Sequence, residues 1–149
     1  MHNEIQDTVT KHILDTLTAR FYNVFTNTGD SKPQVERIYD LFIAKAIIIK
    51  NSGLSPEIYS LSEFVIPREK LLTDGRLIDF KEEEIDESTT VFGNIAQRIS
   101  FYKKSGILEG KEFKTKGVKN IQFIHTSEGW KMNALTWDDE REGFSIPIY

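Results

Sequence analysis

The chain contains no cysteine. Disulfides and thiolate-bound metals are thereby excluded, and nothing marks an oxidising compartment. Histidine is scarce too: His2, His12 and His125 show no His-x-His or His-Glu-x-x-His spacing. A zinc or iron site would need ligands gathered from distant parts, so no metal is expected. There is no glycine-rich phosphate loop, no Gly-x-Ser-x-Gly elbow and no dinucleotide fingerprint. Any chemistry here would be cofactor-free. Long apolar runs are missing as well. Ala46–Ile49 is as long as any, far short of the ~20 residues a membrane span needs. Met1–Lys11 is polar and lacks an apolar core, so no export signal, no membrane partner and a cytoplasmic location are expected. Basic clustering is the last absence. With a net charge of −4 and dispersed Lys and Arg, no nucleic-acid partner is expected.

What is present describes an ordinary soluble domain. The 149 residues are 39% hydrophobic and 28% charged, a size and balance that suit a single domain spanning 1–149. Ile5, Val9, Ile13, Leu17, Phe21 and Phe25 recur at every fourth position, with Leu14 and Val24 widening the stripe. That spacing predicts a long first helix, ended by Thr28-Gly29-Asp30. Ser31 and Gln34 have capping-box spacing before a second helix that presents Val35, Ile38, Tyr39 and Phe42. The β-branched run within Ala44–Lys50 predicts a strand, stopped by Asn51-Ser52-Gly53. Ser60 and Glu63 open a third helix with Phe64, Arg68, Leu71 and Leu72 on one face, and Asp74-Gly75 closes it. Pro67 lies inside it, which predicts a kink or a split. Leu77–Thr90, Val91–Lys103, Gly117–Thr126 and Trp130–Asp139 read as strands, the last two joined at Ser127-Glu128-Gly129. Lys104-Ser105-Gly106 and Lys114–Gly117 are expected to bracket a loop. Helices first and strands last point to an α+β fold, not to alternating βαβ units.

Several short motifs stand out: Ser62-Glu63-Phe64, Phe80 with Glu82 and Glu84, and Phe92-Gly93-Asn94-Ile95-Ala96. Ser100 with Tyr102, Gly117, Ile121-Gln122, Trp130, Trp137 and Glu140 continue them. Together they resemble the nuclear-transport-factor-2-like superfamily, which includes ketosteroid isomerase, scytalone dehydratase and the SnoaL-like polyketide cyclases. The nearer likeness is to a bacterial subgroup of that superfamily. The resemblance implies a cystatin-like cone: three N-terminal helices on a strongly curved, mixed but mainly antiparallel sheet, a pocket at the open end, and often a homodimer. It transfers no mechanism, because function lives in the site and not in the fold.

Period two places Phe80, Glu82, Glu84 and Asp86 on one strand face. Desolvated together, Glu82 and Glu84 would make a general acid or base. Otherwise they form a polar face paired to residues such as Arg98 and Lys131. Ala96, Arg98, Ser100 and Tyr102 share a face. Turned inward, Arg98 and Tyr102 would offer donors to an anionic or carbonyl-bearing ligand. Turned outward, they would form a cross-strand ladder. His125 beside the turn reads as solvent-facing or as a titrating group, and Gln122, if buried, needs a partner in the sheet or on a ligand. Trp130 and Trp137, seven apart on one strand, are expected on opposite faces. The candidate catalytic set is thus Glu82, Glu84 and Tyr102. The candidate ligand-binding set is Tyr22, Phe42, Phe64, Arg98, Gln122, His125 and Trp137. The function these suggest is binding of a small apolar or aromatic molecule. Acid–base catalysis of the isomerase, dehydratase or hydrolase kind is the alternative, and a dimeric association module the second.

Overall fold

A computed structural model describes residues 4–146, so His2 lies outside the described residues. The elements in order are α1 (Glu4–Asn23), a 3-10 turn (Val35–Arg37), α2 (Ile38–Leu41), β1 (Phe42–Lys50), β2 (Glu57–Tyr59), α3 (Leu61–Thr73), β3 (Leu77–Phe92), β4 (Ile95–Leu108), β5 (Lys111–Thr126) and β6 (Gly129–Asp139). The strands form one six-stranded sheet in the order β2-β1-β6-β5-β4-β3. Only β1 and β6 run parallel. The architecture is the expected α+β one, with helices packed on a mixed sheet. No helix among the described residues is long and apolar enough to cross a membrane.

In α1 the fourfold repeat does not all face the core. Each step of four advances about 40° beyond a full turn, so Val9 and Ile13 come out exposed. Leu14, Leu17, Phe21 and Tyr22 carry the buried face instead. The helix ends at Asn23, short of the expected glycine, and Phe25 packs from the loop beyond it. Asn27 holds that loop in place. Its amide nitrogen donates to the carbonyls of Leu72 and Leu77, and its side-chain oxygen accepts from the Phe80 N–H. One side chain thereby ties the end of α1 to the end of α3 and the start of β3.

The second helix is shorter than expected. Gln34 takes a non-helical conformation without a side-chain cap, and only the 3-10 turn and the single turn of α2 form. Val35 and Ile38 are buried, Tyr39 is exposed, and Phe42 already belongs to β1. The Ser60–Glu63 capping box forms in both directions. Pro67 does not split α3, which runs as one element to Thr73. The expected loop between residues 104 and 117 is not there. β4 and β5 continue through those residues to a two-residue turn at Glu109-Gly110, both in the left-handed region with φ of 50° and 82°. Two such residues suit the twist of a tight hairpin.

Bulges decide which residues face inward. Between Glu84 and Asp86 the β3–β4 register shifts by one residue. Asp86 therefore leaves the face of Glu82 and Glu84 and is exposed, while Glu87 and Thr89 take the inner positions. In β6 the register shifts again, pairing Gln122 with Ala134 but Phe123 with Met132. The extra residue puts Trp130 and Trp137 on the same inner face, both buried, and overturns the expectation of opposite faces. Cross-strand rows then read, from one end, Ala96–Phe123–Met132, Arg98–Ile121–Leu135, Ser100–Lys119–Trp137 and Tyr102–Gly117–Asp139.

Gly117 is required by its row. A Cβ there would lie 2.2 Å from the Tyr102 hydroxyl and 2.6 Å from the Asp138 carbonyl oxygen. The Tyr102 ring lies across the space a side chain would fill. Gly117→Ala should cost about 1–3 kcal/mol of stability as an overpacked site; an unchanged urea midpoint would refute this account of Tyr102.

Candidate functional site

The inner sheet face carries two charged clusters. The first surrounds Arg98, whose side chain is 2% exposed. Its Nε and Nη2 donate to the two oxygens of Glu84 at 3.0 and 2.5 Å, and its Nη1 donates to Asp15 at 2.7 Å and Thr89 at 3.2 Å. Ser100 donates to Glu84 at 2.5 Å. Because the serine proton is committed there, Tyr22, 2.7 Å from Ser100, is the donor in that contact. Lys11 bridges Asp15 and Glu87 on the outer side of the cluster. Burial alone would raise the Asp15 carboxyl, but hydrogen bonds from Lys11 and Arg98 hold it below its ordinary range. Burial likewise opposes the charge on Arg98, and Glu84 and Asp15 outweigh it. This cluster clamps α1 to β3 and β4. It is saturated internally, and neither Arg98 nor Glu84 lines the main apolar cavity.

The second cluster does line it. Lys119 Nζ lies 2.8 Å from Glu82, with side-chain exposures of 4% and 7%. The ammonium also sits 3.6 Å from the centre of the Tyr102 ring, with Tyr22 at 5.0 Å and Trp137 at 5.6 Å. Aromatic faces and one carboxylate thus replace its water. Burial still pulls the Lys119 pKa below that of a free lysine, against the support of Glu82. Tyr102 donates to the Asp139 carboxylate and to the Asp138 carbonyl oxygen, and Lys104 closes the group 3.0 Å from Asp139. Burial, and next the nearby carboxylates, push the hydroxyls of Tyr22 and Tyr102 well above the usual tyrosine value. Both are hydrogen-bond donors in the folded protein and not bases.

Above this pair opens a cavity of about 400 Å³ between α3 and the sheet. Its apolar wall comes from Phe25, Phe64, Leu71, Phe80, Phe113 and Trp137. Phe64 packs edge-on against Trp137 at 5.9 Å and against Phe25 at 6.0 Å. Glu82 is the carboxylate in the wall, while Lys50, Arg68, Lys104 and Lys119 are its cations. A second depression of about 400 Å³ lies at the β3–β5 end of the sheet, lined by Lys81, Lys103, Lys114 and Lys116 among others. It has no aromatic wall and no buried polar group.

Of the residues singled out in the sequence, the fold brings Glu82, Phe64 and Trp137 to the cavity. Glu84 and Arg98 face inward but are spent on each other. Tyr22 and Tyr102 stand behind Lys119 without reaching the cavity wall, and the Tyr102 proton is already given to Asp139. Phe42 packs in the core against Phe21. Gln122 is exposed on the outer face, because period two sets it opposite Ile121 and Phe123. His125 is exposed beside the β5–β6 turn, its ring 5.4 Å from Trp130. Lys119 and Arg68 were not among the candidates. For Lys119 the signal was available, since it shares the period-two face of Ile121 and Phe123.

No family model matches the sequence, and no curated protein does either. Solved structures do match. A nuclear transport factor 2-like superfamily protein from Salmonella enterica superposes with a TM-score of 0.72 at 13% identity, over 97% of this chain and 99% of that one. A hexachlorocyclohexane dehydrochlorinase, LinA-type3, from Novosphingobium barchaimii gives 0.73 at 13% identity over 93% and 92%. A putative calcium/calmodulin-dependent kinase II association domain from Exiguobacterium sibiricum gives 0.65 at 10% identity over 95% and 98%. The chain has the nuclear-transport-factor-2-like cone fold, as its motifs implied.

The Glu82–Lys119 pair is the energetic hinge of the site. Removing one partner of a buried pair leaves an uncompensated charge and costs about 3–5 kcal/mol, whereas replacing both with apolar residues is often neutral. Lys119→Met should therefore lose about that much stability, and Glu82→Leu/Lys119→Met much less. Equal urea midpoints for the single and double variants would show that the two groups are not coupled.

Proposed function

We propose that this chain is a small-molecule-binding domain whose ligand occupies the cavity over Glu82 and Lys119. One observation carries the reading: an aromatic-walled space of about 400 Å³ with a desolvated ion pair in its wall. Ligand sites are mostly apolar with a few fixed polar groups, and their volumes run from about 300 to 1,000 Å³. A merely structural cone would fill this space with side chains.

Acid–base catalysis is the second reading, and Glu82 favours it. It is the carboxylate that lines the cavity, and the cone fold also serves dehydrochlorinases, whose reaction removes a proton along with chloride. Glu84 and Tyr102 drop out of this reading because both are saturated. Small aromatic compounds that bind should raise the melting temperature by several degrees at about 100 times their Kd. Leu71→Trp, which fills the cavity, should abolish that shift. A full shift with Leu71→Trp would rule out the cavity as the binding site. A turnover assay on a compound that binds separates the readings. Under pure binding the wild type leaves the compound unchanged. Under catalysis Glu82→Gln, checked for cooperative melting because it unpairs Lys119, turns it over about 10²–10⁴-fold more slowly.

We further infer that the outer sheet face joins two copies of the chain. No helix covers it among the described residues, and Ile47, Ile95, Ile99, Phe101 and Val118 lie on it. Obligate dimer interfaces are comparatively apolar and bury roughly 2,000 Å² or more. Light scattering should give twice the chain mass, and Ile99→Asp should give a folded monomer. A wild-type monomer at micromolar concentration would exclude the dimer.

A further inference from the structure

Of the four cations in the cavity wall, Arg68 is the one without a carboxylate within 4 Å among the described residues. It lines the cavity from α3, half-buried. Its guanidinium carbon stacks 3.9 Å from the centre of the Phe64 ring, with Tyr59 at 5.1 Å and Trp137 at 5.7 Å. Its Nη1 donates to the Phe64 carbonyl oxygen at 3.2 Å. The other cations in the wall each have a carboxylate: Lys119 has Glu82 at 2.8 Å, Lys104 has Asp139 at 3.0 Å and Lys50 has Glu57 at 4.0 Å. Among the described residues, no carboxylate lies within 4 Å of Arg68. Glu57 and Glu82 reach it only at longer range, and burial lowers its pKa.

Stacking occupies the faces of a guanidinium. The Phe64 carbonyl and Tyr59 take part of the N–H edge of Arg68, and its remaining donors are committed to no carboxylate among the described residues. Five donors in a plane match the oxygens of an oxyanion. The aromatic residues fix that plane, so little rotamer entropy remains to be lost when an anion docks. Three of the four cations in the wall are answered by carboxylates, so the cavity keeps one uncompensated positive charge, that of Arg68, in a chain whose net charge is −4. A neutral apolar ligand would leave that charge unanswered.

We propose that the ligand is a small organic anion, with an apolar body against Phe64, Phe80 and Trp137 and an oxyanion head on the N–H edge of Arg68. This inference rests on the binding reading above and adds the charge of the ligand to it. A structural alternative has Arg68 serving only as an aromatic spacer. Methionine would replace a spacer, whereas lysine would keep the charge and lose the planar fork.

Two fluorescent probes with one skeleton separate these cases: 8-anilinonaphthalene-1-sulfonate, an anion, and N-phenyl-1-naphthylamine, which is neutral. Both are titrated into the full chain and into Arg68→Met, Arg68→Lys and Leu71→Trp, each checked for cooperative melting. A charge-assisted contact predicts that wild type prefers the anion by about 10–100-fold. Arg68→Met should collapse the ratio toward one and Arg68→Lys should keep part of it. Added salt should weaken only the anion. Equal affinities in wild type, or a ratio untouched by Arg68→Met, would overturn the anionic ligand while leaving the binding cavity intact. If neither probe binds, or if Leu71→Trp binds both as wild type does, the cavity reading fails and the anion inference falls with it.

Discussion

The central constraint on this molecule is a lysine that cannot reach water. Lys119 projects from the middle of β5 into the cone, and its only ionic partner among the described residues is Glu82, 37 positions earlier and two strands away. An unpaired ammonium at that depth would cost several kcal/mol. The position of β3 relative to β5, the orientation of the Tyr102 ring and the absence of a side chain at Gly117 all serve that pairing. Because ring faces and a carboxylate meet the charge, the space above it can stay apolar without stranding an ion.

The inner face is divided by chemistry along its strands. The rows led by Ala96 and Arg98 meet Phe123 with Met132 and Ile121 with Leu135, and there α1 is clamped through Asp15. The Ser100 row meets Lys119 and Trp137, and there the cavity opens beneath α3. The Arg98 cluster is saturated by Glu84, Asp15, Thr89 and Ser100. That end of the cone is therefore closed both sterically and electrostatically. At the other end Glu82, Lys119 and Arg68 border unfilled volume. The two carboxylates two residues apart in the sequence thus have different surroundings: Glu84 belongs to the scaffold, Glu82 to the cavity wall.

Similarity to structures at 10–13% identity is consistent with this division. A cone needs inward alternation, bulges that curl the sheet and helices across its face, and many side-chain sets satisfy those needs. The side chains inside are a separate matter, because function lives in the site and not in the fold.

Local signals were enough for the order of the longer elements, though not for the short strand β2. The Ser60–Glu63 capping box, the Asp74-Gly75 stop, the Ser127–Gly129 turn and the alternation of β3 to β6 each depend on neighbours within four residues. Such neighbours are visible in a linear chain. Phase was not visible. A bulge after Glu84 moves Asp86 outward and Glu87 inward, and another in β6 brings Trp130 and Trp137 to one face. Each arises because a partner strand has one residue fewer, a fact that resides in the pairing and not in the segment. The same holds for the site. Period two could set Glu82 and Lys119 on inward faces. Their contact, the stacking of Arg68 on Phe64 and the exclusion of Gln122 exist only once distant strands and α3 are brought together, because burial and charge pairing are properties of that meeting.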